Sequence, residues 1–128
     1  MTGPGEPVEA LYEAIGDGDA DRVRKLLSED VRWHRPPDVP ITGTVEGAEK
    51  VGRMWRAFTE NVTGFEIEPS RLEVSGEMVL APITMRGTGQ DGKSPFEFAG
   101  VQVFRVADGE IAEVWEFRSL PEARALIS

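Results

Sequence analysis

The chain has 128 residues, 40% of them hydrophobic and 29% charged, which fits one folded soluble domain with a single core rather than a disordered chain. Its net charge is −9 and its 14 Lys and Arg residues are scattered, which argues against a nucleic-acid partner, because a phosphate backbone calls for a basic face. The absence of cysteine excludes disulfides, thiolate metal sites and a cysteine nucleophile, and no apolar run approaches the roughly 20 residues of a membrane span.

In chain order, Met1–Pro7 reads as a flexible Gly/Pro-rich leader, and residues 8–128 read as one domain. Met1–Ala10 has neither the basic nor the apolar region of a signal peptide, so a cytoplasmic location is the expectation. Val8, Leu11, Tyr12 and Ile15 share one face of an amphipathic helix. The run Gly16-Asp17-Gly18-Asp19 stops it, and Asp19 is placed to cap a second helix with an apolar stripe of Val23, Leu26 and Leu27. Val31–Arg35 alternates as a short strand, and the proline-rich Pro36–Pro40 predicts a loop. A third helix is expected from about Glu46 to Thr59, carrying Val51, Met54, Trp55 and Phe58 on one face. Four strands follow, over Phe65–Val74, Met78–Gly87, Phe96–Val106 and Glu110–Arg118, with turn residues between them. Leu120–Ile127 predicts a short closing helix, with Pro121 in its first turn. Helices first and strands later is the pattern of an α+β fold.

The segments Leu11–His34 and Val103–Phe117 together resemble the SnoaL-like polyketide cyclases and ketosteroid isomerases of the nuclear transport factor two-like superfamily. The likeness spans nearly the whole domain. It is carried by Tyr12-Glu13-Ala14, the Gly-Asp break, Asp30-Val31-Arg32-Trp33, the glycine opening the third helix and the final hairpin. It implies three N-terminal helices packed on a strongly curved, mostly antiparallel sheet that forms a cone-shaped pocket. Relatives usually pair their sheets across a two-fold axis, so a homodimer is expected, with Val101 and Val103 on the covered face.

Carried over residue by residue, the resemblance puts Arg35 where ketosteroid isomerases have their general-base Asp, and Leu11 where they have an oxyanion-holding Tyr, with Tyr12 one residue away. Gln102 falls at the protonated oxyanion Asp and Trp55 at a further pocket tyrosine. Classical steroid isomerisation is therefore not expected. SnoaL-like cyclases and limonene epoxide hydrolases place an acidic residue on the last strand, and Glu116 matches it.

Glu116 is the leading catalytic candidate, since a carboxyl group facing an apolar cavity suits a general acid or base. Its direction depends on the hairpin. A three-residue turn at Ala107-Asp108-Gly109, with Gly109 in a bulge, puts Gln102, Phe104, Val114 and Glu116 on one face. A two-residue turn at Asp108-Gly109 shifts the last strand by one, so that Ile111, Trp115 and Phe117 join Gln102 and Glu116 points outward. Gln102 interrupts an apolar alternation and is a candidate carbonyl partner; the alternative is a structural amide bonded to Trp33, Trp55 or backbone.

Arg35 is placed to pair with Glu116 or hold an anion, or else to be solvated. His34, the single histidine, alternates away from Trp33, which favours a surface role over acid–base work. Arg86 with Glu116 is the nearest equivalent of the Asp-Arg-Asp set of epoxide hydrolases, with Asp38 and Glu97 as stand-ins for a second carboxylate. Tyr12, Trp33, Trp55, Phe58, Phe98, Phe104 and Val114 are the expected pocket wall. One histidine and dispersed carboxylates indicate no metal site, and no cofactor is expected.

These residues lead to the expectation of a cofactor-independent enzyme that moves a proton next to a carbonyl of a mainly apolar substrate, as an isomerase or polyketide-type cyclase. The alternatives are an epoxide hydrolase or epoxide-opening cyclase, and a non-catalytic domain that binds an apolar ligand or dimerises.

Overall fold

The computed structural model describes residues 3–35, 43–89 and 94–127; the proline-rich loop with Asp38 lies outside them. Helix α1 spans Gly5–Gly16 and buries Val8, Leu11, Tyr12 and Ile15. It starts inside the segment expected to be a flexible leader. Pro4 precedes the helix and Pro7 sits in its first turn, where a missing N–H costs nothing. Gly18, at φ +68°, turns the chain into α2, Ala20–Leu26, whose cap Asp19 accepts a hydrogen bond from the Arg22 backbone N–H at 3.1 Å.

Strand β1, Leu27–Arg35, begins four residues earlier than its alternation suggested. It is followed by β2, Gly43–Glu46, which the sequence did not reveal. Gly47, at φ +97°, opens α3, Ala48–Glu60. The expected strand Phe65–Val74 is two strands, β3 at Thr63–Pro69 and β4 at Glu73–Ser75. Pro69 has no N–H for the ladder, and beyond it Ser70 N–H bonds only the Pro82 carbonyl, at 2.9 Å. Strands β5, Met78–Thr88, β6, Pro95–Ala107, and β7, Glu110–Phe117, complete the sheet, and α4, Leu120–Ile127, closes the described chain.

The sheet is curved and unclosed, in the order β2-β1-β7-β6-β5-β3, with β4 paired to β5. All pairs are antiparallel except β1 with β7, which is parallel. Helices α1–α3 pack on the concave face over a core that includes Leu11, Ile15, Val31, Trp33, Val51, Phe104 and Ile111. The opposite face buries Leu80, Val101 and Val103 under Ala123, Leu120 and Ile127 of α4. Val101 and Val103, expected on a face covered by a second copy, are buried by α4 of the same chain.

The hairpin between β6 and β7 combines the two registers considered above. Asp108 and Gly109, at φ 53° and 77°, make a two-residue turn, and Ala107 pairs with Glu110 and Val106 with Ile111. The register then shifts, so that Arg105 pairs with Glu113 and Gln102 with Glu116. Ala112 is the unpaired residue of a β-bulge. Without it, Glu116 would oppose Val101 and point at α4. With it, Ile111 and Val114 both reach the concave core, while Trp115 and Phe117 pack with α4. Among the described residues no helix is long and apolar enough to cross a membrane.

Candidate functional site

Between the sheet and α3 lies a cavity of about 210 Å³, lined on its apolar sides by Phe58, Ile83, Met85, Phe96, Phe98 and Phe117. Phe98, 41% exposed, stands at its open edge. Gly100 lines it too: a Cβ there would meet the Phe117 carbonyl and the Phe98 ring at 3.2 Å each, so a side chain would crowd the wall.

The polar end of the cavity is Arg35, Gln102 and Glu116. The Tyr12 hydroxyl donates to Gln102 Oε1 at 2.8 Å, and Gln102 Nε2 donates to Glu116 Oε2 at 2.9 Å. This chain has one polarity. A carboxylate only accepts, so the NH2 end of the amide faces Glu116, and the oxygen end is left for the phenol to bond. Burial, and then the negative charge of Glu116, push the Tyr12 pKa well above its ordinary value, so the phenol stays a donor. Gln102 is 1% exposed, and these two bonds are what make its amide tolerable there.

Arg35 Nε lies 3.3 Å from Glu116 Oε1, and the side chains are only 17% and 11% exposed. They are in ionic contact but not hydrogen-bonded: Arg35 Nε and Glu116 Oε1 are both shut off from solvent and have no hydrogen-bond partner among the described residues. A second guanidinium nitrogen of Arg35 rests on Met54 Sδ at 3.4 Å. The opposite charges of Arg35 and Glu116 compensate each other across their contact at the polar end of the cavity.

Of the candidate wall residues, Phe58 and Phe98 line the cavity. Tyr12 is behind Gln102 rather than in the wall. Trp33, Trp55, Phe104 and Val114 belong to the core beneath, where Trp33 packs edge-on to Trp55 and Phe104. The indole N–H groups of Trp33 and Trp55 are buried without a hydrogen-bond partner among the described residues.

Arg86 is not brought to the site. Strand alternation turns Ile83 and Met85 into the cavity and sends Arg86 the other way, where it lies half-exposed 3.8 Å from Glu66. His34 is on the face opposite Trp33. Its Nε2 is 2.6 Å from Glu113 Oε2, its Nδ1 is 2.9 Å from Thr44 Oγ1, and its ring stacks on Trp115. His34 is therefore not an acid–base group of this cavity. The hand of Tyr12 on Gln102 and the Glu113 partner of His34 were missed. The strand alternation Phe96, Phe98, Gly100, Gln102 carried a usable signal for the wall, whereas contacts between residues 79 and 90 positions apart left none.

A larger groove of about 540 Å³, among Arg32, Glu46, Lys50, Arg105 and Glu113, is charged and open, and its Arg32–Glu46 pair is exposed. Among the described residues no three His, Asp or Glu side chains are grouped to hold a metal ion.

None of the curated proteins matches the chain. Solved structures do. A Xanthomonas campestris protein of unknown function with a cystatin-like fold is 29% identical, with 92% of each chain covered and a TM-score of 0.79. An NTF2-like protein of unknown function from Burkholderia pseudomallei is 25% identical, with 100% of this chain and 99% of that one covered and a TM-score of 0.79. An LEH-like epoxide hydrolase of Mycobacterium tuberculosis is 24% identical, covering 97% and 92%, with a TM-score of 0.76, and this last likeness speaks to the fold alone. The SnoaL-like domain family matches residues 8–114. That span runs from the first buried residue of α1 to the strand that carries the cavity's carboxylate, and on it the chain belongs to the SnoaL-like domain family.

Proposed function

We propose that the cavity is the active site of a cofactor-independent enzyme that moves a proton next to the carbonyl of a small, mainly apolar compound, isomerising it or closing a ring. One observation carries this reading: a carboxylate, Glu116, stands at the end of an apolar cavity with one oxygen bonded to Gln102 and the other in ionic contact with Arg35. Glu116 is the proton acceptor and donor. The second N–H of the Gln102 amide polarises the substrate carbonyl oxygen, with Tyr12 holding that amide in the orientation needed. Arg35 balances the charge of the carboxylate, and the phenylalanine walls give the polar groups an apolar surrounding, which strengthens each of these interactions. An epoxide-opening reaction has less support, because Arg86 is outside the cavity and no second carboxylate lines it among the described residues.

The test is exchange of the protons next to the carbonyl of cyclohexanone into deuterated water, followed by NMR. The wild-type protein should accelerate exchange. Glu116→Gln keeps the shape but cannot accept a proton, and should lose about 10²–10⁴-fold, the usual contribution of a positioned acid–base group. Equal rates in wild type and Glu116→Gln would remove Glu116 as the catalyst. No acceleration by the wild type across a panel of small ketones would leave a ligand-binding cavity without this reaction.

A further inference from the structure

Gly100 has no backbone reason to be glycine. It sits in the regular antiparallel ladder of β6, opposite Ile83, and its φ is not positive. Glycine inside a strand weakens it, and where there is neither a bulge nor a bend it marks a place that another group approaches closely. Here that group is the Phe98 ring. The tip of the ring, Cε1 and Cζ, lies 3.2 and 3.4 Å from where a Gly100 Cβ would stand, so Phe98 leans along β6 over the glycine, toward Gln102. Phe98 is nevertheless 41% exposed, the one aromatic among the exposed large apolar side chains described. Gly100 supports the ring from below, and the ring stands at the open edge of the cavity.

Phe96, Phe98, Gly100 and Gln102 line the cavity from alternate positions of β6. The rise of a strand puts Gln102 roughly 13 Å from Phe98, with Gly100 midway. With the Phe98 ring laid over Gly100, the free stretch beside the polar end is only about 7 Å long. That length takes one six-membered ring and not two fused end to end. We infer that Phe98 and Gly100 together determine the size of the ligand: Phe98 is the end wall, Gly100 lets its ring lie down over the sheet, and the substrate is a single-ring ketone whose far edge packs against that ring. This rests on reading the cavity as the active site, and it assigns the residues that select the substrate there. A methyl group at position 100 lifts the Phe98 ring off the sheet and crowds the cavity. A small side chain at position 98 leaves room for a second ring.

The test is titration of cyclohexanone and of β-decalone, in which a second ring is fused away from the carbonyl, followed by NMR at the Ile83 and Met85 methyl groups of the cavity wall. Phe98→Ala should shift the relative affinity at least about tenfold toward β-decalone, the scale on which apolar pockets separate ligands of different size. Gly100→Ala should weaken cyclohexanone binding at least about fivefold while Phe98 is present, and less than about twofold in the Phe98→Ala background, where the methyl group has no ring to displace. An unchanged affinity ratio in Phe98→Ala overturns the inference and leaves the cavity reading standing. So does a Gly100→Ala effect of the same size in both backgrounds; a loss shared by both would point instead to the Phe117 carbonyl, which meets the same Cβ at 3.2 Å. If neither ketone shifts the methyl signals of the wild type, the proposed active site fails and this inference with it. Phe98 belongs to neither apolar core, so Phe98→Ala keeps the fold. Should Gly100→Ala not fold, the affinity ratio in Phe98→Ala decides alone.

Discussion

Strands β1 and β7 carry two pairs of a nitrogen side chain with a carboxylate, back to back on opposite faces of the same sheet. On the concave face Arg35 meets Glu116; on the other His34 meets Glu113. The sequence gives both pairs the same logic: adjacent residues on β1, and partners three apart on β7. Their settings differ. His34 and Glu113 are 28% and 20% exposed, with Thr44 on one ring nitrogen, Glu113 on the other, and Arg105 in ionic contact with the second Glu113 oxygen at 3.8 Å. That set ties β2, β1, β7 and β6 together from outside. Arg35 and Glu116 are less exposed and incompletely bonded. The outer pair is held by several partners near water, and the inner pair has its ionic contact in an apolar setting.

The contrast can be broken most decisively at Arg35. Arg35→Met leaves a buried carboxylate without its charge partner and should destabilise the fold by roughly 3 kcal/mol, the lower end of the range for breaking a buried pair. Urea unfolding at neutral pH measures it. A cost below about 1 kcal/mol would mean that water reaches Glu116 freely and that the two faces are alike.

The next effect is at Tyr12, the single tyrosine of the chain. Tyr12→Phe leaves the buried Gln102 oxygen without its donor and should cost about 1–3 kcal/mol. It also carries a pH signature. The Tyr12 pKa is raised, first by burial and then by Glu116, so its stabilising effect is fully present below the ordinary value of 10.0 and is lost as pH rises toward the raised value. Wild-type stability should therefore fall in strongly alkaline solution, and that component of the fall should be absent in Tyr12→Phe. Phenolate absorbance should appear only as the protein unfolds. Reversible titration of the native protein near pH 10 would show that the phenol is not buried against Glu116.

The smallest effect is expected on the outer face. Thr44→Val removes the hydroxyl from His34 at an exposed position and should cost under about 1 kcal/mol, as urea unfolding measures. A larger loss would dissolve the distinction between the two faces.

Much of this arrangement follows from the order of residues alone. The stripe Val8, Leu11, Tyr12, Ile15 predicts α1, and Asp19 predicts the start of α2. The dipeptide Asp108-Gly109 predicts the hairpin turn, and Gln102 stands out as a polar residue in an apolar alternation. The family resemblance located Glu116. Local patterns do this well because helix caps and tight turns are decided within a few residues. The early start of β1, the strand β2 and the break after Pro69 were less legible, because each is decided by pairing with a distant strand.

The direction of Glu116 was decided only by the tertiary structure. The odd positions Ile111, Trp115 and Phe117 read as one apolar face of β7, and on that reading Glu116 points outward. In the folded chain they serve two cores, Ile111 under α1–α3 and Trp115 with Phe117 against α4. A strand has a period of two, so only a one-residue bulge can supply both, and Ala112 is the residue left unpaired. Nothing within β7 specifies that bulge. It follows from two apolar layers, built from segments at opposite ends of the chain, each claiming side chains from the same strand, and it is what turns Glu116 into the cavity beside Gln102.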